Sequence, residues 1–464
     1  MSTAFSAADA IAWTGGILVA GDSDARIAGV AIDSRSVATG GMFVAIEGPR
    51  HDGHDFLSQV IDAGAAALLV RRGRALPELP ARVAAIAVDD TTRALGALAA
   101  GHRDRFDGPL VGITGSNGKT TTKEMCAAIL SVGAHTLATQ GNLNNHFGLP
   151  LTLLARAPEH RRAVIELGMN HRGEIAELAA IAKPTVAAVT NVGTAHIEYL
   201  GSRENIAAEK GDLIAALGVD GVAVVNDADD FAETLAKRAP GRVLRFGRGD
   251  TADVRAQDVE AGDGAFCFTL HLPDARCEVR VAGLGETTIQ NALCAAAAAF
   301  AAGAAADEIA TGLARYHGVS GRLERRELPD GVVLIDDSYN ANPQSMEVAL
   351  RLLATSGSGR RIAVLGDMGE LGEAADKAHR EAGRLVATLG IDYMVAAGSQ
   401  AEHVAEAARA AGMPADRIQC VETSEAAGAP VRSLARRGDW VLLKGSRSMR
   451  MERVGTHLEA EAHT

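Results

Sequence analysis

This sequence predicts a three-part α/β protein: a small N-terminal α/β domain over residues 1–88, a central domain built on a parallel sheet over 89–318, and a C-terminal Rossmann-like doubly wound domain over 319–464. Three observations lead there. The chain has 464 residues, too many for one core and enough for roughly three domains. Short apolar runs alternate with helix-compatible stretches along almost its whole length. Glycine-rich or polar motifs follow the ends of several of these runs, where open α/β sheets gather their ligands.

In the first segment Met42–Ile46, Ala66–Val70 and Val83–Val88 read as strands, with one helical stretch near Phe56–Ala63. The second segment places apolar runs at Pro109–Ile113, Ala163–Ile165 and Val186–Thr190, each followed by a helical run. That order implies a mainly parallel sheet with helices on both faces. The alanine-rich stretch Cys294–Ala306 reads as a buried helix, since alanine is the best helix former and Leu293 and Phe300 supply a packing face. From Val319 the alternation resumes, with strands at Val332–Ile335, Ile362–Leu365, Tyr393–Ala396 and Trp440–Leu443. A cleft between domains is the expected site.

The most specific motif is Gly-Ile-Thr-Gly-Ser-Asn-Gly-Lys-Thr-Thr-Thr over residues 112–122. A strand that ends in a glycine-rich turn and opens a helix aims several backbone N–H groups at one spot, where the helix dipole also favours negative charge. Gly115 and Gly118 let the backbone curl, Lys119 reaches the outer phosphates, and the Thr120 hydroxyl is placed for Mg²⁺. A strict P-loop spacing would need glycine at Ile113, so this is the variant form T-G-x-N-G-K-T-T. The central domain is therefore expected to be a P-loop ATPase domain using ATP and Mg²⁺.

Composition excludes other classes. A net charge of −12 leaves no general basic surface for nucleic acid. No charge-free apolar stretch reaches the roughly eighteen residues that membrane insertion needs, the alanine-rich segment Cys294–Ala306 coming nearest. Five scattered cysteines, an odd number without C-x-x-C spacing, fit a reducing compartment. There is no basic residue before Arg26 and no long apolar N-terminal core, so a cytoplasmic protein is expected.

Glu166 and His196 place metal-competent side chains after two central strands, where they could join Thr120 around Mg²⁺. Imidazole is an unusual magnesium ligand, so His196 stands open between ligation and hydrogen bonding. The loop Gln140–His146 concentrates amides, which serve either a polar ligand or turn geometry. Ile335–Pro343 runs from a strand into two acids, a tyrosine and two asparagines, and favours a ligand. Gly366–Gly372 follows another strand end, and Lys444–Arg447 offers two cations suited to a carboxylate. On its residues alone, Lys210 reads as a solvated helix lysine.

Taken in order, these motifs resemble the Mur ligases of peptidoglycan synthesis over nearly the whole chain. Asp33–Val37, Gly41–Ala45 and Asp52–Phe56 look like that family's uridine-nucleotide domain, and Thr114–Thr121 like its ATP loop. Gly141–Asn145, Gly148–Thr152, Asp336–Pro343, Leu365–Gly372 and Lys444–Arg447 point to the member that uses a dipeptide. The resemblance implies a catalytic set of Lys119, Lys210, His196 and Glu166, with Mg²⁺ held by Thr120, Glu166 and His196. Lys210 matches the position that Mur ligases carbamylate with CO₂. ATP would contact Gly115, Ser116, Asn117, Gly118, Lys119, Thr120 and Thr121, and, from elsewhere in the chain, Asn291, Arg322, Asp337, Tyr339 and Asn340. Ser34, Arg35, Asn142, Asn144 and Asn145 would face the nucleotide-peptide substrate, Lys444 and Arg447 the dipeptide. The implied substrates are UDP-N-acetylmuramoyl-tripeptide and D-alanyl-D-alanine, joined through an acyl phosphate by a monomer.

One departure stands out: the family's G-x-H-N-x-x-N appears as Gly285–Asn291, with Thr287 and Thr288 in place of the His-Asn pair. It favours a rival, a nucleotide-binding regulator without turnover. The other rival is a sister ligase, either the preceding tripeptide-forming enzyme or a folylpolyglutamate synthetase. Because the ATP loop and the Asp336–Pro343 loop must meet around one nucleotide, the third segment is expected to close onto the second.

Overall fold

The structure is a computed structural model that describes residues 4–262 and 264–462. Three substantial sheets follow one another along the chain, with a two-stranded pairing of Phe5–Ser6 and Arg26–Ile27 beside the first. The first sheet orders Ile17–Ala20, Ala84–Val88, Ala67–Arg71, Met42–Val44 and Val30–Ala31, parallel except at the first pair. Its three inner strands are the apolar runs legible in the sequence. The flanking elements were not: helix Ala7–Thr14 begins at a reciprocal capping box between Ser6 and Asp9, and Ile17–Ala20 is short and half exposed. The single helix expected near Phe56–Ala63 is two elements, a 3₁₀ turn Gly53–Phe56 and helix Leu57–Asp62. The Asp52 carboxylate starts the first by accepting the His54 N–H.

The central sheet has nine strands. Leu110–Thr114 lies between Arg162–Glu166 and Val186–Val189, and the sheet runs outward to Thr136–Ala138 on one side. On the other it continues through Val222–Asn226 and Arg242–Gly247 to Val254–Gly262, still parallel. It then turns antiparallel through Ala265–His271 and Arg276–Ala282. The sheet is mainly parallel, as expected, and this antiparallel edge is an addition to it that the apolar runs did not indicate. Its signal was the two-residue alternation of buried and exposed positions, with a turn at Pro273-Asp274, which a half-covered hairpin produces.

Helices cover both faces. Lys119–Gly133, Thr287–Ala301 and Ala306–Ala314 pack on one, and Gly148–Leu154, Glu174–Ala182 and Arg203–Ala215 on the other. Helix Thr91–Arg103 joins the second group and also packs against the first unit, so one apolar cluster runs through both. The alanine-rich helix is buried as expected, with Ala292 and Ala295–Ala299 fully enclosed, but it ends at Ala301 rather than Ala306. Gly303, at φ +86°, breaks the chain there. Small residues draw these helices together: a Cβ on Gly312 would lie 2.2 Å from the Ile129 Cα.

The third sheet orders Glu324–Glu327, Val333–Asp337, Trp440–Lys444, Arg361–Gly366, Tyr393–Ala397 and Ile418–Val421, parallel after its first pair. Its core strands are continuous apolar runs because helices enclose both faces. Among the described residues, no helix is long and apolar enough to cross a membrane.

Candidate active site

A cavity of about 1350 Å³ opens between the second and third units, over the C-terminal ends of their parallel strands. Its floor is the loop after Leu110–Thr114. Gly115 (φ +153°) and Gly118 (φ +79°) shape that loop, and neither position has room for a side chain. A Cβ would fall 1.8 Å from Thr190 Oγ1 at the first and 2.2 Å from Asn291 Oδ1 at the second. The helix beginning at Lys119 then presents its unsatisfied first-turn N–H groups.

The loop is held from the neighbouring strand end. Ser116 N–H donates to the Asn191 carbonyl and Asn117 N–H to Asn191 Oδ1, each at 3.0 Å. Asn191 Nδ2 and Thr190 Oγ1 donate in turn to the Asn117 carbonyl at 3.0 and 2.6 Å. Sequence reading passed over Thr190 and Asn191 in this role. Their signal was a polar pair directly after the apolar run Val186–Val189.

Lys119 Nζ donates to the Gly115 carbonyl at 2.8 Å, and burial lowers its amine below the usual lysine range against the pull of Glu166. Strand pairing sets Glu166 beside Ile113, at the mouth of the loop. Its carboxylate accepts from Thr120 Oγ1 at 2.8 Å and from Asn144 Nδ2 at 2.7 Å, and it is 1% exposed. Hard oxygen donors from Thr120 and Glu166 thus converge beside the glycine turn, a donor set that suits Mg²⁺.

His196 also reaches the cavity, in the left-handed region at φ +63°. Its Nδ1 lies 2.6 Å from Glu370 Oε2 of the third unit, off the ring's hydrogen-bonding direction. That contact holds the Glu370 carboxyl below its usual range. Glu370 was not singled out from the sequence, because only the fold brings its loop to His196.

The reading of Lys210 as solvated is overturned. Helix Arg203–Ala215 is packed among its neighbours, and Lys210 is 1% exposed. Adjacent Glu209 is buried as well, accepting the N–H groups of Gly173 and Ile175 at 2.8 and 2.9 Å. Burial, and then the charge of Lys119, push the Lys210 amine well below the usual lysine value.

From the third unit, the Arg322 guanidinium lies 4.0 Å over the Tyr339 ring, and Arg447 approaches the same ring at 6.0 Å. Lys444 is 1% exposed, and its ammonium is committed to Asp337 Oδ2 at 2.5 Å and the Asn340 carbonyl at 3.1 Å. Asn291 Oδ1 accepts from Thr122 Oγ1 at 3.4 Å, and Thr288 Oγ1 turns back to the Leu284 carbonyl at 3.0 Å. Asn142, Asn144 and Asn145 all line the cavity. Asn144 is engaged by Glu166, while Asn145 Oδ1 accepts the Phe147 and Gly148 N–H groups at 3.1 and 2.9 Å, a turn-forming role. Ser34 and Arg35 lie on the first unit outside the cavity lining, with Arg35 exposed and paired to Asp33 at 2.6 Å.

The ATP loop and the Asp336–Pro343 loop meet in this structure, where Asn342 Nδ2 donates to Asn117 Oδ1 at 2.8 Å. Such an arrangement defines a class of enzyme, in which a P-loop domain binds a nucleoside triphosphate and a second α/β domain closes over it. Comparison with known proteins narrows the class. The families described as Mur ligase family, catalytic domain; Mur ligase middle domain; and Mur ligase, glutamate ligase domain match residues 26–103, 113–299 and 321–447. The UDP-N-acetylmuramoyl-tripeptide–D-alanyl-D-alanine ligase of Escherichia coli K12 is 38% identical over 93% of this chain and 94% of its own. That of Bacillus subtilis is 36% identical over 92% of each. A crystal structure of MurF from Acinetobacter baumannii superimposes with a TM-score of 0.90 at 35% identity, over 99% of both chains. MurF ligase from Thermotoga maritima, solved in complex with ADP, gives 0.81 at 29% identity over 94% and 98%. The chain belongs to the Mur ligase family. A Mycobacterium tuberculosis folylpolyglutamate synthase, 20% identical over 79% of this chain and 94% of its own with a TM-score of 0.64, shares the fold alone.

Proposed function

We propose that this protein joins D-alanyl-D-alanine to UDP-N-acetylmuramoyl-tripeptide, driven by ATP, to give the UDP-N-acetylmuramoyl-pentapeptide precursor of peptidoglycan. The observation that carries the reading is its similarity, along more than nine-tenths of its length, to ligases named for that reaction. A carboxylate does not acylate an amine in water, because its leaving group would be oxide. Transfer of the γ-phosphoryl group to the tripeptide carboxylate makes an acyl phosphate. The dipeptide amine then adds its electron pair to the acyl carbon, the bond to the phosphate oxygen breaks, and the amine proton is lost.

This chain's residues serve the first step by position and charge. Lys119 and the first-turn N–H groups face the charge that spreads over the phosphoryl oxygens. Thr120 and Glu166, with His196 on the resemblance, would hold Mg²⁺. When bound, the ion neutralises phosphate charge. Asn291, Arg322, Asp337, Tyr339 and Asn340 are assigned to ATP, Ser34, Arg35 and the Asn142–Asn145 loop to the nucleotide-peptide, and Lys444 and Arg447 to the dipeptide end. The three units, bounded near residues 88 and 318, would divide these tasks in a monomer, and its nucleotide substrates suit a cytoplasmic location.

Phosphate release by the purified enzyme should require both proposed substrates together. Release with glutamate and a folate instead would reassign the activity to the sister ligase. Carbamylation of Lys210 belongs to the same proposal: burial disfavours the charged ammonium, and the amine in its neutral form adds CO₂ and loses a proton to become a carbamate anion. With ¹³C-bicarbonate, a carbamate resonance is expected in the wild-type NMR spectrum and should vanish in Lys210→Arg. An identical spectrum for both proteins would remove the modification from the scheme.

A further inference from the structure

We infer that Asn342 is a positioning residue for the reaction, coupling the docking of the third unit to the shape of the ATP loop through Asn117. It has two separable tasks. Its Oδ1 accepts the Ser345 N–H at 3.0 Å and so caps helix Pro343–Thr355, while its Nδ2 donates across the cleft to Asn117 Oδ1 at 2.8 Å. The cap is local to the third unit. The hydrogen bond from its side-chain amide crosses 225 positions of sequence to the loop assigned to phosphate.

Asn117 is suited to transmit that contact. Thr190 and Asn191 hold its backbone N–H and carbonyl within the central unit, so its side chain projects from a fixed point toward the third unit. A second close approach lies alongside. A Cβ on Gly193 would fall 1.9 Å from Gln344 Oε1, so the first turn of helix Pro343–Thr355 also presses on the loop that supports Asn117. The Glu370–His196 contact marks a separate point of docking on the same cleft. Undocked, the third unit would withdraw Arg322 and Tyr339 from the nucleotide loop and leave Asn117 without its partner amide. The Asn342–Asn117 bond therefore belongs to the docked state, in which the reacting groups meet.

The inference rests on the proposed ligation, and the test separates the two. Asn342→Ser keeps a good helix cap but is too short to reach Asn117, so its melting temperature should match that of the wild type. Its kcat should fall about tenfold while KM for ATP moves less than about threefold, as expected for one hydrogen bond made only in the docked state. Asn117→Ala should show a similar loss, and the double variant should be no worse than either single one. Losses that multiply in the double variant, or an unchanged kcat in Asn342→Ser, would overturn the coupling.

Small-angle scattering with a non-hydrolysable ATP analogue gives a readout that needs no ligation. Asn342→Ser should have a larger radius of gyration than the wild type, and equal values would count against the inference even if the substrates were misassigned. A wild type that fails to ligate yet shows this difference would sink the substrate reading alone.

Discussion

Lys119→Ala is expected to reduce ligation by roughly a thousandfold or more, the largest single effect in this protein, with the fold left intact. The ammonium lines the cavity at the turn assigned to the phosphates, where negative charge would redistribute during transfer. Its hydrogen bond is to the Gly115 carbonyl, inside the same turn. Removing the side chain therefore breaks a hydrogen bond local to the turn and gives up the attraction of Glu166, while relieving the burial that lowers this amine. Phosphate-release kinetics beside a thermal melt would check both halves. Near-normal turnover in a folded variant would mean that the phosphate cradle lies elsewhere.

Glu166→Gln should have the next largest effect. The substitution preserves size and leaves an oxygen to accept from Asn144 or Thr120, but it removes the negative charge. If Glu166 holds the metal, kcat should fall roughly a hundredfold and the Mg²⁺ concentration for half-maximal rate should rise about tenfold or more. Mn²⁺ binding followed by electron paramagnetic resonance, with an ATP analogue present, reads the same affinity without turnover. Unaltered metal dependence would reduce Glu166 to a tether for Asn144.

How much of this was legible before the fold was known follows a pattern. The shape of the glycine turn at residues 115–118 was readable because each of its demands is local. Two glycines must adopt backbone angles closed to other residues, and a helix must start at Lys119. The parallel strands were readable because enclosure on both faces requires unbroken apolar runs. Lys210 was not, since helix Arg203–Ala215 has no distinct apolar stripe to mark its buried side, and a buried lysine looks in sequence like any other. The antiparallel edge Ala265–Ala282 was not legible as such, because the polar positions of a half-covered hairpin interrupt the apolar runs that marked the enclosed strands.

The sequence by itself determined the class of chemistry: a triphosphate turn, a carboxylate at the next strand end, and the apolar runs that become three sheets. Only the tertiary structure decided which distant groups share the cleft. Asn342 with Asn117, Glu370 with His196, Lys444 with Asp337 and the burial of Lys210 are all products of packing between elements. Periodicity and turn chemistry act over a few residues. Partnership and desolvation depend on which surfaces meet, and separation along the chain places almost no limit on that.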